Sequence, residues 1–459
     1  MNLRSAIWNH IESYGKIRDK GVSPYLAAAM FSIPTIFLLT LHAIQASEER
    51  TTRLCPIKAD LWVLGGQSNM CILGYRNLQN CGELDHPVQL DRHRIRVFGL
   101  DNEWTDPIEP VHWFYTAAAP ILRETYRQQR PDLSDEEFAR IRASPRPRML
   151  RQIGPGTAFA KHIVDNTDRN IGLIPCALGG ASMDMWDPAL KSQGGHSLYG
   201  AMMERIQMVG GNITGILWNQ GESDIGSPSC NVYKKKMLNF IDSLRRDTGK
   251  PDLPIIFVQL GRYNARNPAS LNAAHGLEMV REAQRRIALE RKNAFVIANF
   301  DVPWEEPGHV GVNGQQIIGR RMAEIALSEV YHVPGHGRSI NLESMRITRA
   351  PQGSIVQGSP LIHLNFSRVT GRLHAPGGGE PADFELRLET PPQDSDPNAF
   401  RTDFDPEDPG GVIIHVSGQF TPTTQLYYGS GLRPYCNLID DAGMMIPAFG
   451  PIHVTGKLQ

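Results

Sequence analysis

Four short stretches of the chain carry residue types suited to acyl transfer. The stretch LGGQSNM, Leu64 to Met70, places Ser68 behind a Gly-Gly pair and an apolar run. A serine hydroxyl becomes a nucleophile when a base takes its proton, a third group orients that base, and donors meet the oxyanion that forms. The base candidate is His309, in WEEPGHVGVNGQQIIG, with Glu306 three residues before it across a Pro-Gly pair. Glu305 and Asp301 are alternative orienters. The oxyanion candidates are the backbone N–H of Ser68, an N–H of the Gly179–Gly180 pair, and the side-chain amide of Gln220 in WNQGESD. Glycine suits this role because backbone must approach substrate closely. Gln67 and Asn69 read as residues that hold the serine turn. Glu222 reads as a loop anchor, since an anion facing an oxyanion is unhelpful. Each stretch alone has an ordinary explanation as a turn, a cap or a solvated loop. Their joint order along the chain is what points to chemistry.

Separated residues need a fold to bring them together. The runs ADLWVLGG, NIGLIPCALGG, TGILWNQGES, LPIIFVQLG and AFVIANF are short and apolar and end in polar or glycine residues, which predicts buried strands. Helical patterns follow the last four: SLYGAMMERIQMV, NVYKKKMLNFIDSLRRDTG with Gly249 as C-cap, NAAHGLEMVREAQRRIALER and NGQQIIGRRMAEIALSEVY. Strands alternating with helices predict a three-layer α/β/α domain with a parallel sheet. Right-handed crossovers then bring all strand C-termini to one edge, where ligands bind. Ser68, Gly179, Gly180, Gln220 and His309 all fall just beyond such ends. Residues 72–156 are polar and Pro-rich, with one helix expected around SDEEFARIRA, and read as an insertion covering the site. The composition changes near 332–339, and from 340 to 459 strict alternation predicts a small β-sandwich.

Composition narrows the classes. The chain has 459 residues and a formal net charge of −1, so no global field points to nucleic acid or anionic lipid. Residues 1–46 combine a basic flank (Arg4, Lys16, Arg18, Lys20) with an apolar run from Leu26 to Leu41 and a small residue at Ala46, the pattern of a signal peptide or an uncleaved membrane anchor. Either predicts export: periplasmic, secreted or anchored at the N-terminus. The six cysteines have no zinc-type spacing. Cys71 and Cys81 are close enough to staple a loop, and Cys176 reads as a buried thiol.

The blocks GQSNM, GLIPCALGG, WNQGESD and PGHVGVNGQQIIG resemble those of the SGNH/GDSL-type hydrolases, and more narrowly the sialate O-acetylesterase-like carbohydrate esterases. The resemblance covers residues 58–330 of an expected domain at 58–332, and LYYGSGLRPYCNLIDDAGMMIPAFGPI resembles the terminal β-segment of the same esterases. It implies an SGNH-type domain, Ser68 as nucleophile, His309 as base, and oxyanion roles for Gly179 or Gly180 and the QGES block. The family usually carries Asp three residues before the histidine, where this chain has Glu306. The expected activity is metal-free and cofactor-free hydrolysis of acetyl esters on a carbohydrate, with no nucleic-acid partner. Acetyl xylan esterase or another polysaccharide deacetylase is an alternative, as is a non-catalytic glycan-binding protein. Trp186 reads as core rather than a sugar platform, and Arg148 and Arg151 as a solvated loop. His112 and Trp113 are candidates for lining the cleft.

Overall fold

The computed structural model describes residues 52–71, 90–144, 153–263, 271–306, 308–354, 356–388 and 397–454, without the side chains of 271–272 and 305–306. The chain enters the sheet at β1 (Asp60–Gly66), buried from Leu61 onward, as expected of a central strand covered on both faces. One helical turn, α1 (Ser68–Cys71), follows at once. Next come β2 (Ile95–Phe98), β3 (Trp104–Thr105), α2 (Pro120–Gln128), α3 (Asp135–Ala143) and α4 (Gly156–Asn166). The expected alternation then runs β4 (Ile171–Pro175), α5 (Leu198–Met208), β5 (Gly215–Asn219), α6 (Ser229–Asp247), β6 (Ile255–Val258), α7 (Leu271–Glu290) and β7 (Ala294–Ile297). A short hairpin, β8 (Trp304–Glu306) with β9 (His309–Val310), leads into α8 (Val312–Ile325).

The sheet order is β3-β2-β4-β1-β5-β6-β7. Its pairs are parallel except β2 with β3. The chain first places β2 and β3 two and three strands away from β1, returns to fill the gap with β4, then crosses to build β5, β6 and β7 on the other side. Strand order therefore reverses beside β1, which places a crevice at its C-terminal end. α6 stops where expected: Gly249 adopts φ +68°, its N–H donates to the Arg246 carbonyl, and the Lys250 N–H reaches the Arg245 carbonyl.

The insertion is more structured than its sequence suggests. Residues 72–89 and 145–152, including Cys81, Arg148 and Arg151, lie outside the described residues. The part between them extends the main sheet through β2 and β3 and adds α2 beside the expected α3. α3 carries a reciprocal cap between Ser134 and Glu137. β2 and β3 have four and two residues, too few to show a period; β2 is buried beside β4, and the half-buried β3 joins the sheet by pairing with β2.

The C-terminal part contains β10 (Asn341–Arg349), β11 (Pro360–Ser367), β12 (Phe384–Arg387), β13 (Asn398–Phe404), β14 (Gly411–Ser417), β15 (Gln425–Tyr428) and β16 (Phe449–His453). These form two antiparallel sheets, ordered β10-β11-β14-β13 and β12-β15-β16. Phe366 of the first meets Phe449 of the second at 6.3 Å between ring centroids, and Tyr428 stacks on Phe449.

Residues 54–459 cluster as one unit, and buried polar side chains explain why. Gln259 bonds the Ala448 backbone at both its N–H (2.7 Å) and its carbonyl (2.9 Å), as a neighbouring strand would. Arg281 on α7 donates to the carbonyls of Leu260, Gly261, Gly429 and Gly431. Burial pulls its pKa down to about 10. The α/β part and the sandwich thus share desolvated hydrogen bonds that neither can satisfy alone. Among the described residues no helix is long and apolar enough to cross a membrane; the apolar run at 26–41 lies outside them.

Candidate active site

The end of β1 shows why its glycines precede Ser68. Gly66 has φ +120°, and a Cβ there would lie 2.1 Å from the Asn219 carbonyl oxygen. Glycine lets β1 stay paired with β5 up to the serine, because any side chain would push the strands apart. The Gln67 N–H then donates to the Asn219 carbonyl at 2.8 Å, and α1 begins at Ser68. A helix start leaves its first N–H groups without intrahelical carbonyls, and the Ser68 N–H is one of these.

His309 lies 241 residues away, yet its Nε2 is 3.1 Å from Ser68 Oγ. One side chain fixes this approach. Asn69 donates from Nδ2 to the Gly308 carbonyl (3.1 Å) and accepts at Oδ1 from the Val310 N–H (3.1 Å), bracketing His309 on both sides. The Asn69 carbonyl is held in turn by Asn219 Nδ2 at 3.2 Å. Gln67 works on the opposite flank, where its Oε1 accepts from the Gly221 and Ser223 amides. The two neighbours of Ser68 thus tie it to the QGES loop and to the histidine hairpin.

Glu222 Oε1 accepts from Asn69 Nδ2 at 2.5 Å, while Oε2 is buried without a hydrogen-bond partner among the described residues. Burial pushes the Glu222 pKa above the usual carboxylate value; the Asn69 hydrogen bond and the nearby His309 oppose that shift. Asp224 is fully buried, accepts from the Met183 N–H and from Gln220, and is likewise raised by burial.

Several candidates take places other than those expected. Gln220 does not present its amide to a substrate: Nε2 donates to the Ala181 carbonyl (3.2 Å) and to Asp224 Oδ2 (2.6 Å), and the residue is wholly buried. Its hydrogens hold the Gly179–Gly180 loop to the QGES loop, which corrects its expected oxyanion role. Asp301 is held by Arg321 through two bonds of 2.7 and 2.6 Å, so it does not orient His309. Glu306 is the register partner of His309 in the β8–β9 hairpin, but its side chain and that of Glu305 lie outside the described residues. Trp186 is buried edge-on against Trp218. His112 and Trp113 are both buried; His112 Nε2 accepts the Ala177 N–H at 3.3 Å and so supports the loop after β4, while the Trp113 ring packs on Tyr115 at 4.8 Å. Cys71 and Cys176 are buried thiols.

Gln129 escaped the sequence reading. From the end of α2 its Nε2 donates to the Gly179 carbonyl at 2.8 Å. A trans peptide points the following N–H the opposite way, so this bond sets the direction of the Gly180 N–H. Gly180 is exposed and has φ +73°. An exposed glutamine in a polar helix carries no local signal of that role.

The three-layer sheet, with Ser68, Gly180 and His309 on the C-terminal edge of its strands, is the fold of the SGNH-type hydrolases. The chain belongs to the family of carbohydrate esterases described as sialic acid-specific acetylesterases, whose family model matches residues 58–328. A probable carbohydrate esterase of Arabidopsis thaliana is 31% identical over 184 residues, a match spanning 38% of this chain and 64% of that protein. The solved structure of that Arabidopsis protein covers 59% of this chain and 98% of its own, with TM-score 0.43 and 25% identity. A carbohydrate acetylesterase from Xanthomonas citri shares the fold over 85% of this chain and 80% of its own, with TM-score 0.57 at 17% identity.

Proposed function

We propose that this protein is a serine-dependent O-acetylesterase acting on acetylated sugars, with O-acetyl sialic acids as the leading substrate class. The observation that carries this reading is the 3.1 Å approach of His309 Nε2 to Ser68 Oγ at the strand edge. In the first half-reaction Ser68 Oγ bonds to the acetyl carbonyl carbon while His309 takes its proton. The tetrahedral oxyanion meets the N–H groups of Ser68 and Gly180. Collapse breaks the ester C–O bond, and His309 returns the proton to the departing sugar oxygen. Water then attacks the acetyl-enzyme with His309 again as base, releasing acetate and restoring the serine. Glu306 is the proposed orienter of His309, because the hairpin register sets it opposite the histidine. The N-terminal apolar segment supports export of the catalytic part, either released or held at a membrane.

The deciding experiment measures acetate release from a small aryl acetate, from O-acetyl sialic acids and from acetylated xylan, with Ser68→Ala as control. Turnover that disappears in the variant, at unchanged melting temperature, supports the mechanism. Full residual activity overturns it. The ratio between sialic acid and xylan substrates decides the sugar class.

A further inference from the structure

A cluster of two histidines and a glutamate lies far from Ser68. His162 on α4, Glu324 near the end of α8 and His336 in the connector to β10 come from three separate parts of the chain. His162 Nε2 is 2.6 Å from Glu324 Oε1, and His336 Nδ1 is 3.0 Å from Glu324 Oε2. The three ligand-type atoms all lie within 4.8 Å of one another. The Gly337 N–H donates to Glu324 Oε2 at 2.7 Å and fixes the carboxylate plane.

We propose that His162, Glu324 and His336 form a binding site for one divalent transition-metal ion, with Zn2+ as the expected occupant. Two imidazole nitrogens and one carboxylate oxygen are a donor set that zinc takes, leaving a fourth position for water. The carboxylate is also held in place, with His162, His336 and the Gly337 amide each within hydrogen-bond distance of its oxygens. Its partners are two imidazoles and an amide, not a guanidinium or ammonium. The side chains retain 24% (His162), 9% (Glu324) and 16% (His336) exposure, enough for an ion to reach them from solvent. On binding, each imidazole keeps one N–H, moved to the ring nitrogen facing away from the ion. The Gly337 amide acts as the outer partner that orients the carboxylate.

The position assigns the ion a structural task. Glu324 is twelve residues beyond Val312, about 18 Å along α8 at 1.5 Å per residue. The cluster therefore sits at the end of α8 opposite His309, where the connector leaves for the sandwich. Zinc there would fasten α4 and α8 to that connector without touching the acyl-transfer edge.

The test uses the full chain, stripped with a chelator and titrated with Zn2+ by calorimetry, with bound metal counted by mass spectrometry. The expected result is one tight equivalent and a higher melting temperature when it binds. His162→Gln and His336→Gln keep a donor for Glu324 but remove a ligand; each should raise the Kd by about 100-fold or more, with aryl acetate hydrolysis unchanged. In the unsubstituted chain, Zn2+ should protect both histidines from diethylpyrocarbonate, a readout that does not depend on any variant folding. No tight equivalent, an equivalent retained by either variant, or unprotected histidines would overturn the proposal.

Discussion

α8 has histidine at each end, one at the start and two at the finish, and the ends differ in what the imidazole faces. At the N-terminal end His309 Nε2 meets the Ser68 hydroxyl, and the loop carrying it is held by Asn69. At the other end His162 and His336 meet the Glu324 carboxylate, which an amide fixes from a third side. A hydroxyl has a proton to give, so an imidazole opposite it is placed for proton transfer. A carboxylate held ionised has none, so imidazoles opposite it can only donate hydrogen bonds or share a cation. The same residue type is thus suited to chemistry at one end and to fastening at the other, and the neighbour decides which.

Substitutions can break this contrast. Ser68→Ala should lower kcat/KM on an aryl acetate by about 10³-fold or more, with no change in melting temperature. Equal activity of variant and parent would erase the distinction between the two ends. Asn69→Ala should come next: losing both ties around His309 lets the imidazole drift, and kcat should fall about 100-fold with little change in KM. A variant that changed only KM would show that Asn69 binds substrate instead.

At the far end, Glu324→Ala removes the acceptor of two imidazoles and of the buried Gly337 N–H. It should cost about 3 kcal/mol in urea unfolding, with kcat/KM of the folded enzyme unchanged. A catalytic loss without a stability loss would reverse the roles assigned to the two ends.

The smallest expected effect concerns pH. Glu222 has its pKa raised above the usual 4.5 by burial, so the native state holds that proton more tightly than the unfolded chain. Its contribution to stability is greatest below the usual carboxylate range and falls as pH rises through the raised value. Glu222→Gln should flatten that fall while keeping the Asn69 contact. Melting temperatures of the two proteins measured across this window would show no divergence if Glu222 stayed unperturbed.

Much of the fold was legible in the residues because the central strands are apolar on both faces. A run such as DLWVLGG allows few other fates, and the periodic helices between such runs fix a parallel sheet. The exceptions were β2, β3, α2 and α4, which lie in or beside the polar insertion and owe their places to what they pack against. The serine and histidine were legible for a related reason: each follows a strand end, and all such ends share one edge. Gln220 was misread because its residue type says only that it has an amide, not where the two hydrogens go. Gln129 was not legible at all, since the carbonyl it finds is 50 positions away.

The order of residues was enough to establish where strands stop, and therefore which polar stretches gather at a common edge. Strand identity depends on local side-chain pattern, and parallel connection leaves little freedom beyond it. Packing alone decided the partners: Asn69 around His309, Asp301 with Arg321 rather than the histidine, and Glu324 between two imidazoles. Each donor has many acceptors of suitable chemistry along the chain. Which of them comes within 3 Å is decided when loops far apart in sequence are pressed together and water is excluded between them.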